Sequence, residues 1–447
     1  VRVCRLVDGM PLGLLLAAAW TGLLAPGEIA DEIEGSLDFL ATELRDVPER
    51  QRSLRATFDH SWRLLTGRER ELLAGLSVFR GGFTLAAARQ AASASLRELR
   101  ALMDRSLLQQ APGGRYAMHE LLQQYAAERL ADAPGAAQEL RDRHSAYFSA
   151  AVKRWWADLQ GPRHQAALAE MGAEVGNLRA AWNWAVERGQ VALLDRAMDG
   201  LECFYYQSGH YREGEAAFQA AAAAAQGADT HGADDKAACL RMWVRALAWQ
   251  SYFQRAIGKR DAARRLQQQC LKILQDPALA GSDTRLERAV LSMSVGLTVG
   301  MDDHAQGRQR FEEGYCLFRE LGHRPWMAWA LYVWGTMSTF LGDYTDAKRR
   351  LEEALTIYRA QGFNPGIAGS FSRLSWIACV EGRFEEAERL ARKGVATSLE
   401  TSFRSQSATA LLNLGGVLEK VAKFSEAHAA TQQSLELYTD LGRRQYS

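Results

Sequence analysis

The sequence predicts a mainly α-helical protein, in which a small helical domain with one β-hairpin is followed by a right-handed solenoid of helix pairs. Three observations lead to this fold class. One phrase of sequence recurs at intervals of 40 residues, which is typical of stacked repeats. The chain is rich in Ala, Leu, Arg and Glu and has 9 prolines among 447 residues, which favours helices. A Pro-Gly-Gly turn between two short extended segments, within residues 107–118, predicts the hairpin.

The repeated phrase starts at a turn between two helices. Its clearest copies start at Gly342, Gly382 and Ala422, where a small residue ends a helix because left-handed backbone is least costly there. Weaker copies make about six in all, and the six turns lie at Gly209, Gly258, Asp302, Gly342, Gly382 and Ala422. This spacing predicts a solenoid over residues 191–447.

Each copy also carries residues that suit the packing of two helices. An aromatic residue two positions after the turn is expected to wedge between the helices; these are Tyr211, Tyr344, Phe384 and Phe424. Small residues are expected to let the helix axes approach closely; these are Ala347, Ala387, Ala427, Gly335, Ser375 and Gly415. One pair cannot bury its apolar face alone, so neighbouring pairs must stack. The pattern resembles tetratricopeptide repeats, in the longer variant with extended helices.

Composition excludes several classes of protein. The 54 basic and 53 acidic residues give a net charge of +1, which does not favour nucleic acid or an anionic membrane as a partner. The 6 cysteines show no CxxC pattern and no metal-ligand spacing, so we expect a reduced, cytoplasmic protein without a metal site. Residues 10–25 are uncharged and apolar, which fits either a buried helix or a secretory signal; Asp8 and the remaining sequence favour the helix.

A second domain precedes the repeats. Its predicted elements are a helix over 66–79 with Thr66 as N-cap, a helix over 84–92 capped by Thr84, a helix over 96–105, extended segments over 107–110 and 115–118, and a helix over 119–131. A side-chain oxygen at each N-cap satisfies a backbone N–H of the first turn. Three helices with a hairpin predict a winged helix.

Three segments of this domain resemble the winged-helix domain of the STAND signal-transduction ATPases, in the AP-ATPase-like clade that includes bacterial transcriptional regulators. They read LSVFRGGFTLAAA, LMDRSLL and RYAMHELLQQYA. Upstream, Gly9-Met-Pro-Leu-Gly resembles the GxPLAL motif in the first helical domain of that family. The resemblance implies four parts: the end of the first helical domain in 1–47, the winged helix in 48–133, a helical arm in 134–190 and the repeats in 191–447. We interpret the chain as the C-terminal portion of a longer protein or an incomplete reading frame.

The resemblance also implies a nucleotide role for two residues. Met118-His119-Glu120 stands where the family has Met-His-Asp, whose histidine reaches the β-phosphate of ADP and holds the closed state; Glu120 replaces the usual Asp. Pro11 would pack near the same nucleotide. The chain has no G-x-x-x-x-G-K-[ST] loop and no catalytic motif, so we expect no enzyme activity and no cofactor of its own. ADP or ATP would belong to an upstream nucleotide-binding domain.

The concave face of the repeats is the predicted binding surface for a protein, a peptide or a small inducer. Helical offsets from the turns place eight residues there: Tyr206, Arg245, Tyr252, Arg255, Trp329, Tyr332, Arg373 and Trp376. Aromatic rings with arginines suit a peptide, an acidic partner or a planar ligand. The alternative is that these aromatic residues form the core between repeats.

Three functions follow as hypotheses. The preferred one is the sensor and autoinhibitory region of a STAND ATPase, in which the repeats bind an inducer or partner protein and the winged helix gates nucleotide exchange, oligomerisation and transcription. The first alternative is a free-standing adaptor that scaffolds a protein complex. The second is DNA binding through the winged helix, which is disfavoured because Glu98 and Asp104 offset the arginines of its third helix.

Overall fold

The computed structural model describes residues 2–7, 11–35, 39–40, 53–228, 232–300, 302–400 and 404–440. The chain divides into two compact units. One comprises Val1–Ala150 and Gly172–Ala185, and the other comprises Ala151–Met171 and Val186–Ser447. The four-part organisation implied by the family resemblance stays a prediction.

The N-terminal part of the first unit consists of short helices and one hairpin. In chain order these are α1 Arg2–Leu6, α2 Pro11–Ala18, α3 Pro26–Gly35, α4 Leu54–Arg63, α5 Gly67–Leu76, α6 Leu85–Ala92, α7 Leu96–Asp104, β1 Gln109–Ala111, β2 Arg115–Ala117 and α8 Glu120–Ala131. Pro11 begins α2, where its missing N–H and fixed φ suit the first position of a helix. The side chain of Pro11 and residues 8–10 of its motif lie outside the described residues.

The predicted winged helix is confirmed by α5, α6, α7, the hairpin and α8. Thr66 and Glu69 form a capping box at the start of α5, in which each side chain accepts the backbone N–H of the other residue. The antiparallel strands pair Gln109 with Ala117. The predicted helix over 66–79 ends earlier, at Leu76, because the following residues fold into a turn that leads to Phe83.

Asn177 fixes that turn within the first unit. Its Oδ1 accepts the backbone N–H of Arg80 at 2.6 Å, and its Nδ2 donates to the carbonyl oxygen of Gly82 at 2.8 Å. The same amide donates to the carboxylate of Glu174 at 2.6 Å. The residue is fully buried, so its role is to satisfy backbone groups of this turn.

Three helices follow α8: α9 Pro134–Leu159, α10 His164–Ala173 and α11 Val175–Glu187. The remaining described residues form six consecutive helix pairs, one for each predicted repeat. They are α12 Val191–Gln207 with α13 Tyr211–Gln226, α14 Ala233–Ala256 with α15 Arg260–Ile273, α16 Arg285–Val299 with α17 His304–Glu320, α18 Arg324–Phe340 with α19 Tyr344–Gln361, α20 Asn364–Val380 with α21 Phe384–Leu399, and α22 Arg404–Lys420 with α23 Phe424–Asp440. The mainly helical fold with paired repeats and one small hairpin is therefore confirmed. Among the helices described, none has the length and apolar character needed to cross a membrane.

The turns and small residues of the three clearest copies behave as the phrase predicts, whereas Asp302 is not among the described residues with a positive φ. Gly342 has φ +80°, and Ala422, which replaces glycine in the last copy, has φ +60°. Ala347 is fully buried where α18 meets α19. A Cβ added to Gly335 would lie 2.8 Å from Cγ of Leu351, so the glycine permits the close approach of these helices.

The prediction that an aromatic residue after each turn wedges between the two helices is wrong for the last two repeats. Phe384 is 39% exposed and Phe424 is 67% exposed, although Tyr211 and Tyr344 are partly buried. All four rings stand at the first position of their helices, so helix position alone does not decide their burial. What differs is the packing that each neighbouring repeat provides.

Candidate ligand cavity and the His119 site

A cavity of about 380 Å³ lies within the second unit. The first helix of every repeat contributes to its wall, together with the C-terminal end of α9. This agrees with the expectation that the first helices of solenoid repeats line the binding face. Its volume is in the range of ordinary small-molecule sites.

Six of the eight predicted groove residues line this cavity: Tyr206, Tyr252, Arg255, Trp329, Tyr332 and Arg373. Tyr252 is almost fully buried, whereas Trp329 and Tyr332 are partly exposed. The aromatic residues thus serve both as packing between repeats and as cavity wall. Their role in binding a partner stays a prediction.

Two predicted groove residues lie elsewhere. Arg245 is 3% exposed and pairs with two carboxylates of α12, Asp195 at 2.5 Å and Asp199 at 2.6 Å. It shares a face of α14 with Tyr252 two turns away, but these acidic residues hold its guanidinium in an ion-pair cluster. Trp376 is 46% exposed and is not among the residues that line the cavity.

A row of aromatic rings forms one wall of the cavity. Ring centroids lie 5.1 Å apart for Trp156 and Trp326, 5.3 Å for Trp326 and Trp329, 6.1 Å for Trp329 and Tyr252, and 5.3 Å for Tyr252 and Tyr206. The rings come from α9, α18, α14 and α12, which are far apart in sequence. Such a wall can pack against an apolar group or the face of a cation.

Glu202 is the acidic residue of the cavity wall. It stands on α12, is 5% exposed, and has no hydrogen-bond or ion-pair partner among the residues that the structure describes. Burial raises the pKa of Glu202 well above its ordinary value, and the nearby charge of Asp199 adds to the shift. An isolated buried carboxylate is costly, so Glu202 favours the neutral acid unless a cation lies beside it.

Several donors and acceptors around the cavity also lack partners within the described ranges. They are Nε of Arg255, Nε1 of Trp326, Oγ1 of Thr336 and Oε1 of Gln406. The guanidinium of Arg255 lies 5.5 Å from the centre of the Tyr252 ring. Together with Glu202, these groups can offer a ligand positive charge, hydrogen-bond donors and acceptors along an aromatic wall.

Sequence reasoning missed Glu202 and Trp156. Glu202 belongs to the first repeat, where the phrase is weakest, and Trp156 belongs to the preceding arm. A signal was present for Glu202, since it interrupts the apolar run Leu201-Glu-Cys-Phe-Tyr205. An acidic residue in such a run is either paired in the interior or facing a cavity.

His119 is the second candidate site, and it caps the N-terminus of α8. Its Nδ1 accepts the backbone N–H of Leu121 at 3.1 Å. The neutral imidazole must then carry its proton on Nε2. That Nε2 is buried and has no hydrogen-bond partner among the described residues, so it can donate to one further acceptor.

No family model matches the chain. The chain is 35% identical over 226 residues to a "Putative HTH-type transcriptional regulator" of Mycobacterium tuberculosis and to one of the same name in Mycobacterium bovis; the match covers 48% of this chain and 25% of each relative. It is also 40% identical over 84 residues to an uncharacterized protein of Mycobacterium tuberculosis, covering 19% of this chain and 21% of that protein. The chain thus matches about a quarter of the length of these curated relatives.

Two solved structures show similar helical architecture. A signal transduction ATPase with numerous domains and a tetratricopeptide repeat sensor, from Pyrococcus horikoshii, is 14% identical with a TM-score of 0.45, covering 95% of this chain and 68% of that chain. A Rap protein complexed with competence and sporulation factor is 12% identical with a TM-score of 0.43, covering 67% of this chain and 79% of that chain. At these values neither likeness carries a conclusion about function.

Proposed function

We propose that this chain is the sensor and autoinhibitory region of a STAND-type ATPase that regulates transcription. The repeats bind an inducer or partner in the cavity. The observation that carries the proposal is the set of buried polar groups around the cavity that lack partners within the described residues. Since buried polar groups in proteins are nearly always hydrogen-bonded, a ligand that supplies those partners accounts for them.

The regulatory context is supported by the relatives named as transcriptional regulators, although the match covers a quarter of their length. In the proposed cycle, the upstream domain holds ADP, and His119 donates its Nε2–H to the β-phosphate in the closed state. Helix N-termini favour such anions. Inducer binding favours an open state only through its higher affinity for that state, and opening permits ATP exchange and oligomerisation.

The phosphate role of His119 can be tested in the intact parent protein. We expect His119→Ala to lower the ADP retained after purification by about tenfold, because one hydrogen bond to a charged group is lost. Basal transcription from a reporter should rise at the same time. His60→Ala is the matched control, since His60 is an exposed histidine of the same unit. Unchanged ADP content and unchanged transcription would reject this role.

The adaptor function makes a different prediction for the same parent. If the repeats only scaffold a complex, purified protein retains no nucleotide, and cavity substitutions change partner capture without changing transcription.

DNA binding through α7 has less support because its arginines meet acidic neighbours. Arg105 lies 3.4 Å from Glu69, and Arg100 lies 3.9 Å from Asp104.

A further inference from the structure

We propose that the cavity of the repeat unit binds a zwitterionic ligand of the amino-acid class, with its ammonium group at Glu202 and its carboxylate at Arg255. This inference rests on the proposed sensor function and specifies the ligand that the sensor recognises. The aromatic wall then holds the apolar part of the ligand. The argument depends on three features of the cavity: two opposite charges, their lack of partners and the rings beside them.

Opposite charges line one cavity without forming an ion pair. Glu202 stands on α12 and Arg255 on α14, the first helices of neighbouring repeats. Neither side chain has an ion-pair partner among the residues that the structure describes, and Nε of Arg255 is buried without a hydrogen bond. An ammonium group beside Glu202 would stabilise its carboxylate, and a carboxylate could pair with the partly buried guanidinium of Arg255, so a ligand that carries both groups supplies both partners.

Both charges lie near the same ring. Burial raises the pKa of the Tyr252 hydroxyl well above its ordinary value, and the charges of Glu202 and Arg255 act on it in opposite directions. All three residues line the cavity, and the guanidinium of Arg255 lies 5.5 Å from the centre of the Tyr252 ring, so a ligand against this ring lies beside Arg255 in the cavity that Glu202 also lines. Arg373, on α20, adds a second positive group to the cavity wall.

A ligand with one charge fits less well. An amine alone leaves Arg255 unpaired, and a carboxylate alone leaves Glu202 buried without a partner. The surrounding rings suit either an aromatic side chain or the face of an ammonium group. The cavity volume of about 380 Å³ accommodates an amino acid or a dipeptide but not a folded protein segment.

Three probes that share a phenylethyl group separate the contributions of the two charges. L-phenylalanine carries both groups, phenethylamine carries only the ammonium, and 3-phenylpropanoate carries only the carboxylate. Binding to the purified 447-residue chain is measured by calorimetry at neutral pH. We expect L-phenylalanine to bind about tenfold or more tightly than either singly charged probe, since each charged hydrogen bond contributes at least that factor.

Two variants that remove one charge each assign the groups. Glu202→Gln should weaken L-phenylalanine and phenethylamine by about tenfold while leaving 3-phenylpropanoate unchanged. Arg255→Gln should weaken L-phenylalanine and 3-phenylpropanoate and leave phenethylamine unchanged. Trp376→Ala, outside the cavity, is the control that should alter none of the three affinities. Circular dichroism of each variant confirms that it is folded.

The inference is overturned if no probe binds at millimolar concentration, if the three probes bind equally, or if Glu202→Gln leaves the affinity for L-phenylalanine unchanged. If phenethylamine binds most tightly of the three probes, the ligand class is a simple cation and the zwitterion proposal is wrong. A reporter assay in the parent separates this inference from the sensor function. If the zwitterion binds but transcription does not respond, the ligand class is correct and the proposed sensor function is wrong. If transcription responds only to another ligand, the sensor function is correct and the ligand class is wrong.

Discussion

Gly335→Ala tests whether close helix contact determines the stability of a repeat. In a helix interior, alanine is favoured over glycine by about 1 kcal/mol. At Gly335 the new methyl group would lie 2.8 Å from Cγ of Leu351 and 3.2 Å from the carbonyl oxygen of Ala347. Overpacking of this kind costs about 1–3 kcal/mol. The net expectation is a loss of about 1 kcal/mol, because the backbone of α19 cannot move without disturbing its own pair.

Gly416→Ala is the matched control. Gly416 lies inside α22, and an added Cβ there meets no atom within 4 Å. This variant should gain about 1 kcal/mol from helix propensity alone. Urea unfolding is monitored by far-ultraviolet circular dichroism. The transition midpoint of each variant is compared with that of the unsubstituted 447-residue chain. If both substitutions shift the midpoint in the same direction by the same amount, the packing argument for the mid-helix glycine is wrong.

Two further predictions concern the first unit. Asn177→Ala should lower the free energy of unfolding by about 3 kcal/mol, because it leaves the backbone of Arg80 and Gly82 without partners; a loss below about 0.5 kcal/mol in thermal unfolding would contradict this. Burial lowers the pKa of His144 to about 4 from 6.5. The unfolded chain therefore binds a proton that the folded chain does not, so this contribution is complete above pH 6.5 and is lost as the pH falls towards 4. His144→Gln should remove that part of the pH dependence, and a melting temperature that follows the same pH curve in the variant would contradict the assignment.

Features set by local chemistry were predictable from the sequence. The turns at Gly342 and Gly382 follow from the backbone freedom of glycine, and Thr66 and Thr84 are recognisable as N-caps. The hairpin follows from its Pro-Gly-Gly turn. Each of these depends on a few neighbouring residues, so no tertiary information is needed.

Features set by distant partners were not predictable. Arg245 and Tyr252 share one face of α14, yet only Tyr252 lines the cavity, because carboxylates of α12 pair with the arginine. Phe384 matches the repeated phrase but is exposed, whereas Tyr344 at the equivalent position of the preceding repeat is partly buried, because burial depends on neighbouring repeats. Glu202 enters the site through the stacking of repeats, which a pattern within one repeat does not contain.

The cavity wall draws on every repeat, from the first helix pair to the last. Its dimensions therefore depend on the rotation between successive modules, and small changes at each junction accumulate along the stack. Insertion or deletion of one whole module would move Glu202 away from Gln406 even though every remaining module folded normally. A change in superhelical pitch is thus a physical route by which occupancy of the cavity could be transmitted to the ends of the array.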